Sequence, residues 1–85
     1  MYYLYLLHSK KLNEFYVGTA SELRRRFYSH NTRENIATKA GAPWRLIYYE
    51  AYPTKDDALR REQKLKQYGQ ALRQLKARIT LVDKP

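Results

Sequence analysis

The stretch that decides the fold is residues 2–18, YYLYLLHSKKLNEFYVG. Its first part, Tyr2 to Leu7, is a continuous apolar run, rich in aromatic residues and too short for a good helix, which favours a strand covered on both faces. The polar stretch from His8 to Asn13 separates this run from Phe15-Tyr16-Val17, which predicts a second strand ended by Gly18. Two short strands with a short polar connection indicate an antiparallel hairpin.

The chain after this hairpin predicts a helix, a strand and two more helices. Thr19 with Glu22 three residues later fits a capping box, so we expect the first helix to run from about Ala20 to His30. The segment 31–42 is polar and predicts a loop. The later elements are expected at residues 44–52 for the strand, about 55–67 for a helix that begins near a weaker capping pair, Thr54 and Asp57, and about 70–79 for the last helix, after a break at Tyr68-Gly69.

This order of elements, β-β-α-β-α-α, predicts an α+β fold: a small three-stranded antiparallel sheet flanked by helices. No internal repeat, low-complexity segment or linker interrupts the chain. Its 85 residues suffice for one modest core, so we expect a single domain over residues 1–85.

The charge favours a polyanionic partner. There are 17 Lys and Arg residues against 8 Asp and Glu, a formal net charge of +9, and nucleic acid is the favoured partner over the alternative that the charge serves solubility alone. No apolar run approaches the roughly 18 residues of a membrane span, and the features of a signal peptide are missing. We therefore expect a cytoplasmic protein without a membrane partner.

The residue types present also restrict the chemistry. The chain has no cysteine, which excludes disulfides, zinc ribbons and a thiol nucleophile. With 2 histidines, a histidine-rich metal site is excluded as well. Any metal must be held mainly by carboxylate oxygen, which indicates a hard ion such as Mg²⁺ or Mn²⁺.

Glu62 lies on a helix face that should be buried. At helical spacing Ala58, Leu59 and Leu65 share one arc, and Glu62 falls inside it. An ionised carboxylate there is costly unless another group pairs with it. On the residues alone, a salt bridge to a buried arginine or a position at a wet rim is the favoured reading, and a functional carboxylate is the other.

The first predicted helix shows the same anomaly. Arg26 and His30 are spaced i, i+4 and flank the stripe formed by Leu23 and Phe27, so they should point beside the core. His30 could be a structural histidine, and Arg26 could be a simple partner for Glu62. Alternatively, the two helices form a shared polar cleft whose carboxylate, guanidinium, imidazole and phenols are adequate for phosphodiester hydrolysis.

Two triplets, Tyr3-Leu4-Tyr5 and Tyr16-Val17-Gly18, precede Arg26 and Glu62 in the sequence. Over about residues 2–80 this pattern resembles the GIY-YIG nuclease superfamily, and most of all its small stand-alone bacterial members. In that comparison the triplets are the two signature motifs, and Arg26 and Glu62 are the family's arginine and metal-binding glutamate. His30 and Lys66 also match residues that are frequent in the small members, whereas Tyr3 stands where the name-giving motif has glycine.

The resemblance implies a metal-dependent endonuclease with one divalent ion, Mg²⁺ or Mn²⁺, held by Glu62. Arg26 would stabilise charge on the phosphoryl group, and a phenol would take the proton from the attacking water with help from the metal and His30. A phenol with a pKa of about 10 is a poor base, so this role requires a nearby cation. The catalytic residues implied in this way are Tyr5, Tyr16, Arg26, His30 and Glu62.

Basic side chains should supply affinity for nucleic acid without sequence choice. The residues expected to do so are Lys10, Lys11, Arg24, Arg25, Arg33, Lys39 and Lys66. DNA is favoured over RNA, DNA repair is the expected setting, and specificity would come from substrate shape or from a protein partner. The main alternative is a non-catalytic basic module that binds nucleic acid on the same fold, and a purely structural role ranks last.

Overall fold

The computed structural model of the chain describes residues 1–32, 38–67 and 69–79. The elements are β1 (Tyr2–Ser9), β2 (Glu14–Ala20), α1 (Leu23–Asn31), β3 (Trp44–Tyr52), α2 (Lys55–Gln67) and α3 (Gly69–Ala77), with a 3-10 turn at Lys39–Gly41 before β3. The predicted α+β class, the three-stranded antiparallel sheet and the element order are all confirmed.

The first strand lies at the centre of the sheet, whose order is β2-β1-β3. Both neighbours run antiparallel to it, and Tyr5 pairs with Gly18 on one side and with Tyr49 on the other. Residues 4–9 are buried, because this central strand is covered on both faces as its continuous apolar run predicted. The hairpin turn contains Asn13 at φ 53°, a conformation that asparagine tolerates better than most residues.

Alternation along β1 divides the core between the two faces of the sheet. Leu4 and Leu6 face one way, toward Leu65 of α2 and Leu75 of α3. Tyr5 and Leu7 face the other way, into a cluster that contains Ala20, Trp44 and the partly buried side chains of Leu23 and Phe27. The face that carries Tyr5 is therefore the one that α1 covers.

The predicted capping box at the start of α1 is wrong. Thr19 is still part of β2, where it pairs with Leu4, so the ladder holds its backbone extended. The helix begins at Leu23 rather than Ala20, and its N-cap residue is Glu22, without a side-chain capping hydrogen bond. A pairing between distant residues has overridden a local signal.

The other local predictions fared better. The bounds of β3 and α2 agree with those predicted, and the backbone N–H of Asp57 donates to Thr54 Oγ1 at 3.2 Å, as expected of a cap. The last helix starts at Gly69, one residue earlier than expected, so this glycine is inside the helix; Tyr68 lies outside the described residues. None of the helices within residues 1–32, 38–67 and 69–79 is long and apolar enough to cross a lipid bilayer.

Candidate active site

Three buried polar groups form a hydrogen-bonded chain between β1, α1 and the segment before β3. The Oη of Tyr5 lies 2.9 Å from Nε2 of His30, and Nδ1 of His30 lies 2.7 Å from Oγ1 of Thr38. All three side chains are almost fully buried. In the tautomer protonated at Nδ1, the phenol donates to Nε2 and the imidazole donates to Thr38.

Hydrogen bonds of Trp44 hold this Tyr5–His30–Thr38 chain of hydrogen bonds in place. Asn31, the last residue of α1, donates from Nδ2 to the Trp44 carbonyl at 2.9 Å and accepts the Trp44 backbone N–H. The Trp44 indole in turn donates to the Thr38 carbonyl at 2.7 Å. The end of α1 and Thr38 are therefore fixed to the same residue, which sets the position of His30 between them. Sequence reasoning missed Thr38, because it lies in a polar segment with no periodic signal.

Burial keeps both titratable groups of this hydrogen-bonded chain, the Tyr5 phenol and the His30 imidazole, neutral. Desolvation raises the pKa of Tyr5 well above its ordinary value, Tyr16 and Glu62 act in the same direction, and the charge of Arg26 lowers it without reversing the net effect. Desolvation and the Arg26 charge lower the pKa of His30 below 6.5. At neutral pH the phenol is therefore protonated, and the imidazole has a free lone pair that can accept its proton.

Tyr16 of β2 completes an aromatic cluster around the imidazole. Its ring centroid lies 5.0 Å from that of His30, 6.3 Å from that of Tyr5 and 6.2 Å from that of Trp44. The Nζ of Lys66, on α2, lies 5.9 Å from the centroid of the Tyr16 ring. The structure thus brings together Tyr5, Tyr16 and Lys66, which the sequence comparison had singled out.

Gly18 is required by the ring of Tyr5. A Cβ at this position would lie 2.4 Å from Tyr5 Oη and 2.6 Å from Tyr5 Cζ, which is far inside contact distance. The backbone of Gly18 is not in the left-handed region. The glycine of the second triplet is therefore neither a turn residue nor a strand end: it leaves room for the Tyr5 phenol on the neighbouring strand.

Glu62 projects from α2 with a half-buried side chain. Its Oε2 lies 2.8 Å from Nζ of Lys66, one helical turn further on, and the exposed fractions of the two side chains are 18% and 53%. Within the described residues, its ion pair is thus with an exposed lysine and not with the buried arginine that the sequence favoured. Its charge also acts on Tyr5.

Arg26 lies at the mouth of this cluster. Its side chain is exposed, yet its charge acts on both Tyr5 and His30. Together with Arg25 and Ser29 it lines a recess of about 340 Å³ between the end of β2 and the start of α1, called the polar recess below. A guanidinium in this position can donate to an oxyanion that enters from solvent.

The donor set fits a hydrated hard ion. No group of three or more His, Asp or Glu side chains that could hold a metal exists in the part of the chain that the structure describes. Mg²⁺, however, usually keeps several waters and binds through one or two carboxylates together with substrate phosphate. A single half-buried carboxylate such as Glu62 satisfies that requirement, and its lysine partner is exposed enough to swing away.

Five of the basic residues expected to bind nucleic acid fall into two groups. Arg24 and Arg25 are exposed at the start of α1, near the pairing of Ala20 with Tyr3. Exposed residues at the opposite end, by the hairpin turn and the 3-10 turn, are Lys10, Lys11 and Lys39. Lys66 lies beside Tyr16, and Arg33 lies outside the described residues. The structure therefore does not unite the described members of this set in one patch.

Comparison with known proteins gives a consistent picture. A family profile described as "GIY-YIG catalytic domain" matches residues 1–76. A UPF0213 protein of Limosilactobacillus reuteri is 38% identical over 72% of this chain and 66% of its own length. A UPF0213 protein of Staphylococcus saprophyticus is 32% identical over 80% of this chain and 83% of its own length.

A solved structure is also similar. It is the solution NMR structure of the UPF0213 protein BH0048 from Bacillus halodurans, with a TM-score of 0.57 and 29% sequence identity. The similarity covers 91% of this chain and 84% of that one.

Proposed function

We propose that this chain, which belongs to the GIY-YIG catalytic domain family, is a metal-dependent endonuclease that hydrolyses phosphodiester bonds in nucleic acid, with DNA favoured. The observation that carries the proposal is the convergence of the Tyr5–His30 pair, Tyr16 and Glu62 beside the exposed guanidinium of Arg26. A cytoplasmic location and a role in DNA repair belong to the same proposal.

Glu62 would hold one divalent ion, Mg²⁺ or Mn²⁺, in exchange for its contact with Lys66. Such an ion, when bound, polarises the scissile phosphate and stabilises the leaving oxygen. Lys66 is free to move because more than half of its side chain is exposed. Once released, its ammonium can pair with a substrate phosphate.

The buried hydrogen bond suggests how the attacking water loses its proton. Tyr5 cannot act as a base by itself, since burial raises its pKa and the phenol therefore stays protonated at neutral pH. It can nevertheless pass its own proton to Nε2 of neutral His30, 2.9 Å away, while its oxygen accepts a proton from the water. Thr38 then stabilises the imidazolium through Nδ1. In this relay Tyr5 carries the proton and His30 is the final acceptor.

Arg26 would act on the phosphate itself. Its exposed guanidinium faces solvent at the polar recess, where a substrate phosphoryl group can enter. Charge that builds on the non-bridging oxygens in the transition state would be stabilised by donors already in place. A lysine at this position would offer a point charge without the planar fork, so it should not substitute fully.

The test is cleavage of single-stranded, duplex and branched DNA and of RNA, in Mg²⁺, in Mn²⁺ and with a chelator. We expect metal-dependent products from the wild type and none from Glu62→Gln. Glu14→Gln is the matched control, because Glu14 is an exposed glutamate at the hairpin end of β2, and it should retain full activity. Cleavage that survives unchanged in Glu62→Gln would point to a contaminant and reject the assignment.

A second candidate is a non-catalytic module that binds nucleic acid on the same fold. The net charge of +9 favours binding whether or not the bond is cut. This candidate predicts salt-sensitive binding without turnover, and an affinity that Glu62→Gln leaves unchanged or raises because a negative charge is lost. Metal-dependent cleavage that disappears in Glu62→Gln would exclude it.

A further inference from the structure

A groove of about 850 Å³ lies beside the candidate active site, on the face of the sheet that α1 covers. We call it the aromatic groove; Tyr3, Tyr49 and Leu46 line it from the sheet, and Leu23, Phe27 and Arg24 line it from α1. The rings of Tyr3 and Tyr49 meet edge to face, with centroids 5.9 Å apart. Its volume is within the range of small-molecule sites.

Tyr49 is the unusual residue of this groove. Its side chain is 54% exposed, although it projects from the same sheet face as the buried Tyr5. It pairs across the ladder with Tyr5, and Tyr3 lies two residues before Tyr5 on the same face. The groove therefore lies on the same sheet face as the candidate catalytic phenol, with Tyr49 directly across the β1–β3 ladder from Tyr5.

The polar recess adjoins the aromatic groove. Ser21 and Glu22 line both, so they form the shared rim. On the far side of this rim Arg25 and Arg26 offer cationic donors, whereas the groove is lined by tyrosine rings and apolar side chains together with Arg24. A cationic recess next to an aromatic groove is complementary to a nucleotide, whose phosphate is anionic and whose base is flat and apolar on its faces.

We propose that the aromatic groove binds an unpaired base of the substrate by stacking on Tyr49, and that the enzyme therefore acts on single-stranded or locally unpaired nucleic acid. This inference rests on the proposed function and names its substrate class. Bases in a duplex stack on one another and present only their edges, whereas an unpaired base can stack on an aromatic ring. The carboxylate of Glu22 at the rim can accept a hydrogen bond from an exocyclic amino group.

The test measures binding by fluorescence anisotropy without divalent metal, so that nothing is cut. The probes are labelled oligothymidylate and a labelled hairpin duplex of equal charge. We expect Tyr49→Ala to weaken binding of oligothymidylate about 5- to 150-fold, the range for one lost base stack, and to leave duplex binding unchanged. Tyr49→Phe should bind like the wild type, because it retains the ring.

Tyr28 provides the matched control, since it is a tyrosine on α1 that is 63% exposed and does not line the groove. Tyr28→Ala should bind oligothymidylate like the wild type. Equal losses in Tyr49→Ala and Tyr28→Ala, or equal losses on both probes, would overturn the inference. So would sedimentation showing that the wild type is a dimer and that Tyr49→Ala is a monomer, because a second copy would then occupy the groove.

This outcome is independent of the nuclease assay. Selective loss of single-strand binding in Tyr49→Ala supports the groove even if no substrate is cut in Mg²⁺, in which case only the proposed activity fails. Metal-dependent cleavage by the wild type, with unchanged single-strand binding in Tyr49→Ala, would instead retain the activity and reject the groove.

Discussion

Two glutamates of this protein have the same exposure and opposite surroundings. The side chains of Glu50 and Glu62 are each 18% exposed. Glu50, on β3, accepts two hydrogen bonds from Arg61 at 3.0 and 3.1 Å, one from Tyr48 at 2.6 Å and one from Tyr52 at 2.5 Å. Glu62 has its ion pair with the exposed Lys66. Within the described residues, the Glu50 carboxylate is saturated with donors, whereas the Glu62 carboxylate retains lone pairs for a ligand.

Glu50 and its three hydrogen-bond donors form what we call the β3–α2 brace: Tyr48, Glu50, Tyr52 and Arg61. Burial acts to raise the pKa of Glu50, but the hydrogen bonds from Arg61, Tyr48 and Tyr52 outweigh it and lower the pKa below 4.5. Burial and the bond to Glu50 raise the pKa of Tyr52 to about 12. The brace is thus fixed in one charge state at neutral pH, and it anchors α2 at the residue directly before Glu62.

The largest effect is expected from breaking the brace. Glu50→Ala leaves the Arg61 guanidinium and two tyrosine hydroxyls half-buried without their acceptor. We expect the free energy of unfolding to fall by about 2–4 kcal/mol, toward the low end for a broken buried pair because both partners touch water. Glu62→Ala should cost about 1 kcal/mol or less, since its lysine partner is exposed.

Urea denaturation of the two variants measures this difference. If Glu62→Ala proved as destabilising as Glu50→Ala, Glu62 would be a structural residue, and the contrast between the two carboxylates would disappear. Glu50→Gln sharpens the result, because it keeps the shape of the side chain and removes the charge that Arg61 requires.

The brace also shows what sequence reasoning could and could not supply. The sequence favoured a pair between the Glu62 carboxylate and a buried arginine. The structure instead pairs Arg61, the residue directly before Glu62, with the Glu50 carboxylate of β3. Helical spacing predicts which face a residue occupies, whereas the partner comes from another element. The bounds of β3 and α2 were predictable because alternation, Pro53 and the Thr54 cap are local signals. The start of α1 and the role of Thr38 were not, since both depend on contacts between distant residues.

The next largest effect is expected at Gly18, which belongs to the candidate active site near Glu62 rather than to the brace around Glu50. Gly18→Ala forces the Tyr5 phenol away from a Cβ that would lie 2.4 Å from its oxygen. We expect a loss of about 1–3 kcal/mol in unfolding free energy, together with loss of cleavage because the Tyr5–His30 bond is displaced. Gly69→Ala is the control: nothing lies within 4 Å of its added Cβ, so stability and activity should be retained. Full activity in Gly18→Ala would show that the Tyr5 position is not critical.

A smaller effect should separate the two regions by pH. The pKa of His30 is lowered below 6.5 in the fold, so its stabilising effect is complete above that pH and is lost as the pH falls toward the folded value. The pKa of Glu50 is lowered below 4.5, so its contribution is lost in a second, more acidic window. Denaturation measured across this range should show both losses. His30→Gln should remove the first loss and Glu50→Gln the second. A wild type whose stability does not change between pH 6.5 and 4.5 would mean that His30 is not held neutral.

The smallest effect tests whether Glu62 is available to a metal. Lys66→Met removes the competing ammonium and keeps the side-chain length, so we expect the metal concentration for half-maximal cleavage to fall by up to about fivefold, which corresponds to an exposed ion pair of at most about 1 kcal/mol. Stability should change little, because the side chain of Lys66 is 53% exposed.

The measurement needs saturating substrate, since loss of a contact from Lys66 to phosphate would otherwise mask the gain. A rise in the metal requirement would mean that Lys66 orients Glu62 for the ion rather than competing with it. Glu62 would then be held in place by its basic partner, as Glu50 is by Arg61, and the two carboxylates would differ only in the partner that holds them.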